Sequence, residues 1–183
     1  MFAFSLALRR AARRTLQASS LTLAVSLVTA PANAQEAGIA IGAHAPSAAV
    51  ETLDSKAMDL SRYIGKTPMV LEFWATWCPL CKKLEPAMSA AREKYGKDVA
   101  FVSVGVPQNQ TAERQRAYVT EKQMKGEFVF DKDGAAYKAY KATHTSYVVV
   151  VDANGMVAYT GVGPEQDIDA AVKKVLPANK RSM

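Results

Sequence analysis

Short apolar runs alternate along the chain with polar stretches that carry apolar residues at helical spacing. Met69-Val70-Leu71-Glu72-Phe73-Trp74 is an apolar run broken by a single acid, the pattern of a strand covered on both faces. Val99 to Val106 repeats that pattern. Between them, Lys82 to Tyr95 places Leu84, Met88 and Ala91 one turn apart, which predicts a helix kinked at Pro86. Ala112 to Met124 reads as a polar helix with Tyr118 and Val119 inward, Glu127 to Phe130 as a short strand, and Gly134 to Tyr140 as a short helix. Tyr147 to Val151 and Met156 to Thr160 flank Asp152-Ala153-Asn154-Gly155, a hairpin signal, and Asp167 to Leu176 closes the chain as a helix. Upstream, Ala48 to Leu53 and Met58 to Leu60 are joined by a turn at Asp54-Ser55-Lys56, a second short hairpin. This order predicts an α/β fold: a mixed central sheet flanked by helices on both faces, with an N-terminal hairpin extension. There are no repeats, no low-complexity segments and no second domain.

The first 34 residues carry a different pattern. Arg9, Arg10, Arg13 and Arg14 precede the apolar stretch Leu21 to Val28, and Ala32-Asn33-Ala34 supplies a small-x-small cleavage pattern. Residues 1–34 are therefore expected to be a signal peptide cleaved before Gln35, and the protein to be periplasmic and soluble. The alternative is an anchor formed by an uncleaved segment, although the apolar run is short of the roughly 20 residues a stable span needs. Arg13-Arg14-Thr15-Leu16 only faintly resembles a twin-arginine signal, and ordinary export is expected. Residues 35–45 are expected to form a flexible lead-in, 46–177 the domain and 178–183 a C-terminal tail. Setting the signal aside lowers the net charge from +6 to +2, because its four arginines have no acidic counterpart. That excess does not point to DNA or any other nucleic acid. The remaining length suffices for one compact domain without disulfide staples.

Export sharpens the reading of the two cysteines, Cys78 and Cys81, which stand together in Trp77-Cys78-Pro79-Leu80-Cys81. An oxidising compartment favours a bridge between them, yet a bridge across two residues closes almost no loop and adds little to stability. The pair sits where a strand feeds a helix N-terminus, whose unpaired N–H groups and dipole stabilise a thiolate. Pro79 suits the first helical position. Cys78, expected to be the more exposed, is assigned as the attacking thiol, and Cys81, one turn on and better buried, as the resolving thiol. Trp77 is expected to offer a flat apolar rim for a partner's backbone, and Trp74 to pack in the core. Lys82 and Lys83 read as a solvated helix face.

Phe73 to Lys83, with Pro86 five residues past the second cysteine, resembles the thioredoxin fold. Within it the chain is similar to the exported TlpA/ResA-like thiol-disulfide oxidoreductases, from about Pro46 to the terminal helix. The resemblance implies a protein disulfide reductase working through a mixed disulfide. Its clients would be disulfide-containing exported proteins and its electron donor a membrane thiol protein. It needs no cofactor beyond the redox-active disulfide, and the protein is expected to be a monomer. By the same resemblance Glu72 occupies the site of a buried acid that exchanges a proton with Cys81. Burial would raise its pKa, and the neighbouring strand has no lysine to pair with it. The alternative places Glu72 at an edge facing water. Glu85 falls one place later than the family's second acid and receives no role. The family's cis-proline slot holds Ser146, preceded by Thr145. Both are expected to contact substrate, across a trans peptide, since a cis bond without proline costs about 2.5–4 kcal/mol. His144 lies in the same loop, which opens a second function: copper or zinc handling by Cys78, Cys81 and His144. A redox-inert binding domain is the third.

Overall fold

The computed structural model describes residues 38–180; the expected signal peptide and its cleavage point lie outside them. The run at 69–74 becomes β3 (Met69–Trp74), buried at every position. It pairs in parallel with β4 (Ala100–Gly105) and antiparallel with β6 (Tyr147–Val151). Outward from β4 lie β5 (Glu127–Phe130), β1 (Ala49–Thr52) and β2 (Ala57–Asp59), and outward from β6 lies β7 (Val157–Val162). The sheet order is β2-β1-β5-β4-β3-β6-β7, mixed as the alternation of elements predicts.

Among the described residues four α-helices cover it: α1 (Pro79–Tyr95), α2 (Ala112–Glu121), α3 (Ala135–Ala139) and α4 (Ile168–Lys173). Val70 and Val148, on one face, pack with Leu84 and Met88 of α1 and Ile168 of α4. Asp169 pins α4 to α1, accepting from the Tyr95 hydroxyl at 2.6 Å and from Lys94 at 2.9 Å. Leu71 and Phe73 point the other way, where Phe73 meets the rings of Tyr137, Tyr140 and Tyr147. The parallel β3–α1–β4 and β4–α2–β5 connections progress in one direction, so their right-handed crossovers put α1 and α2 on the same face. No helix among the described residues is long and apolar enough to cross a membrane.

Element ends depart from the sequence pattern for local reasons. α2 stops at Glu121 rather than Met124, because Gln123 turns into the left-handed region at φ 51°. α4 is shorter than expected at its C-terminal end. The lead-in departs most. Residues 38–45, expected to be flexible, are tied down: Gly42 donates to Val157 O, Ala45 to Gly155 O, and Val157 back to Ala43 O. Ile39 is buried and its N–H donates to the Tyr147 hydroxyl at 2.9 Å. Of the expected tail, residues 178–180 form a 3-10 turn, with Lys180 paired to Asp98.

Candidate redox site at the end of β3

β3 ends at Trp74, and the chain turns through Ala75-Thr76-Trp77 before α1 begins. Two glutamines from the loop after β4 fix this turn. Gln110 accepts from the Thr76 N–H at 3.0 Å and donates to Val106 O at 2.6 Å. The Trp77 indole N–H donates to Gln108 O at 2.8 Å, which leaves its ring 40% exposed. The spacing of Gln108 and Gln110 carried no recognisable chemistry; only their place after β4, at the sheet edge where β3 also ends, hints at the role.

Cys78 is the N-cap of α1 and Pro79 its first residue. Cys78 and Cys81 are joined in a disulfide with Cα atoms 5.4 Å apart, and Cys78 Sγ accepts the Cys81 N–H at 3.0 Å. The expected order of exposure is reversed: Cys78 is 1% exposed and Cys81 5%. Capping explains this, because the first sulfur is drawn back over the helix end instead of projecting outward. The large apolar side chains exposed here are Trp77 and Leu80, on either side of Cys78.

Glu72 is buried, which excludes the edge position. It pairs across the sheet with Ser103 and Val148, so no lysine faces it from either neighbouring strand. Its side chain lines a cavity of about 790 Å³ between α1 and the end of α2, and Cys81 lines the same cavity. Loss of hydration pushes the Glu72 carboxyl up to about 8; the nearby Glu85 adds to the shift, and Arg92 opposes it. Glu72 is therefore protonated at neutral pH while the disulfide is closed.

No peptide bond among the described residues is cis, as expected for Thr145–Ser146. Ser146 instead takes φ 59° and is fully buried. Its Oγ accepts from the Gly163 N–H at 3.2 Å and its carbonyl from Gln166 Nε2 at 3.0 Å. Since Phe73 pairs with Tyr147, Thr145 and Ser146 lie at the sheet edge where β3 ends. Gln166 is a further residue the sequence did not reveal. His144 is exposed, and its ring Nδ1 bonds the Thr143 hydroxyl at 2.8 Å. Among the described residues no three His, Cys, Asp or Glu side chains are grouped to hold a metal, so His144 does not join the cysteines.

The parallel β3–α1–β4 core, the antiparallel β6–β7 hairpin and a bonded cysteine pair capping α1 define a thioredoxin-fold redox protein. Residues 40–176 match the Redoxin family model, and the chain belongs to that family. It is 31% identical to "Thioredoxin-like protein YneN" of Bacillus subtilis (strain 168) over 70% of this chain and 75% of that one. It is 27% identical to "Thiol-disulfide oxidoreductase ResA" of Bacillus thuringiensis subsp. konkukian (strain 97-27), over 78% and 83%. A crystal structure from Chlorobium tepidum, described as a thiol:disulfide interchange protein DsbE, superposes with a TM-score of 0.62 at 25% identity, covering 73% and 99%. With these relatives and its cysteine pair, the chain is a TlpA/ResA-like thiol-disulfide oxidoreductase.

Proposed function

We propose that the protein is an exported, periplasmic protein disulfide reductase in which Cys78 attacks, Cys81 resolves and Glu72 takes the resolving proton. The observation that carries the reading is the division of the pair: Cys78 Sγ caps α1, whereas Cys81 and Glu72 share one cavity. In the dithiol form the Cys81 N–H and the dipole of α1 favour a Cys78 thiolate. This thiolate attacks a client disulfide, forming the Cys78–client bond and releasing the client's other sulfur as a thiolate. Cys81 then passes its proton to the Glu72 carboxylate and attacks Cys78 Sγ. The Cys78–Cys81 bond forms, the client leaves as a second thiolate, and two electrons have moved from enzyme to client. Recharging by a membrane thiol donor reverses this order, with Glu72 returning its proton to Cys81. Trp77 and Thr145 form the rim on which a client strand rests; Ser146, expected from the sequence to contact substrate, is fully buried and supports the loop from within.

Insulin reduction by the full chain tests the assignment. Cys78→Ser abolishes turnover, and Cys81→Ser accumulates a covalent client adduct. Glu72→Gln forms the adduct at the normal rate but resolves it about a hundredfold more slowly. Turnover that survives Cys78→Ser would sink the dithiol mechanism. A reduction potential near or below about −270 mV supports electron donation, and one near about −120 mV overturns the direction.

A further inference from the structure

Arg92 projects from the third turn of α1 past Cys81 into the cavity that Glu72 and Cys81 share. Its side chain is only 10% exposed, and its Nη1 donates to Glu85 at 3.3 Å. Its Nε and Nη2 are buried without a hydrogen-bond partner. Leaving such donors unmet costs about 1–3 kcal/mol each, more when charged. Gly126 makes the placement possible: with φ at +124°, it lies so close that a Cβ there would sit 2.7 Å from Arg92 Nε.

We propose that Arg92 is the counter-ion of the Glu72 carboxylate, a positioning residue that acts on Cys81 through Glu72. The inference rests on the reading of Glu72 as proton acceptor and supplies what that reading lacks. A carboxylate must exist in this buried place before Cys81 can be deprotonated, and an ionised carboxylate only accepts hydrogen bonds. The two unmet N–H groups of Arg92 are donors suited to it. Glu85, held on the third nitrogen, keeps the guanidinium turned to the cavity and offsets part of its charge. The opposing pair brings the proton affinity of Glu72 within reach of neutral pH.

The other charged or titratable groups facing the cavity come from the same two walls. α1 adds Cys81, Lys82 and Glu93; α2 and the segment after it add Tyr118, Lys122 and Lys125. Lys82 is exposed over the Tyr118 ring, and Lys122 pairs with Glu121. Neither substitutes for a guanidinium buried in the cavity that the carboxyl lines.

The test mixes the reduced full chain rapidly with the symmetric disulfide of 5-thio-2-nitrobenzoate, from about pH 5 to about pH 9, and follows the second release, in which Cys81 displaces the aryl thiolate left on Cys78. Arg92→Met moves the midpoint of the rate profile up by at least about half a pH unit. Glu85→Gln, which leaves the guanidinium in place, moves it down. Arg92→Lys stays nearer the native profile. A purely structural role gives no such opposed shifts. An unmoved midpoint in Arg92→Met, or shifts of the same sign in the two charge-removing variants, overturns the proposal. If Arg92→Met does not fold, an unmoved midpoint in Glu85→Gln overturns it alone. Glu72→Gln separates the two levels. If it keeps the native midpoint, the proton-acceptor reading falls and this inference with it. If it abolishes the midpoint while Arg92→Met leaves it in place, only the role of Arg92 falls.

Discussion

At the scale of single residues, Glu72 shows what the site costs the fold. Its carboxyl is raised from the usual glutamate value of 4.5 to about 8, chiefly by burial. Between those values the folded protein keeps a proton that the unfolded chain has released. Stability therefore falls as pH rises through the window, by about 1.4 kcal/mol per unit where the difference is complete. The favourable state lies below 4.5, and the loss is complete above about 8. Glu72→Gln removes this slope, so urea midpoints of the oxidised variant and native protein diverge from pH 5 to pH 8.5, the variant gaining several kcal/mol. Parallel midpoints would show that Glu72 is not buried as an acid. Glu72 and the cysteines were legible because the signal was local: one acid in an apolar run, and two thiols where a strand becomes a helix. Arg92, Gln110 and Gln166 were not. Each is an ordinary polar residue that acquires its place only when folding sets it in the cavity that Glu72 lines, or against Thr76 or Ser146.

At the scale of elements, apolar runs place the strands well because both faces of β3 and β6 are buried, which leaves little latitude. Segments fixed by remote partners escape that logic. Gly38 to Ala45 looked loose because its residues are small, yet it is held by a tyrosine hydroxyl 108 positions along the chain and by the β6–β7 turn. The loop entering β6 teaches the same lesson. Ser146 takes the family's proline slot, but its φ of 59° lies in the left-handed region that proline, fixed near −65°, cannot adopt. Restoring the family residue is therefore expected to harm this chain. Ser146→Pro also removes the hydroxyl that accepts from Gly163, and should lower stability by at least about 1–2 kcal/mol. An unchanged or raised urea midpoint would show that the loop can rebuild around proline, and that Gln166 and Gly163 do not fix its shape.

At the scale of the whole molecule, the sheet brings three separate stretches of chain to one edge: the turn after β3, the glutamine loop after β4 and the Ser146 loop before β6. The disulfide is buried at this edge, and the large apolar side chains that meet solvent beside it are Trp77 at 40% exposure and Leu80 at 41%. Exposed side chains this large are costly to leave in water unless something covers them in turn. A protein client can lay its backbone across the indole, whereas a small disulfide only has to reach the sulfur. The two substrate classes should therefore respond differently to loss of the ring. Trp77→Ala is expected to lower kcat/KM for insulin about tenfold, equivalent to about 1.4 kcal/mol of lost apolar contact. Reduction of a small aliphatic disulfide should change by less than about threefold, because Gln110 still holds the Thr76 N–H and the helix end stays formed. Equal losses on both substrates would mean that Trp77 shapes the active-site turn through its bond to Gln108 and is not a docking surface. Equal retention on both would place the client's contacts elsewhere along the edge, on Leu80 or the Ser146 loop.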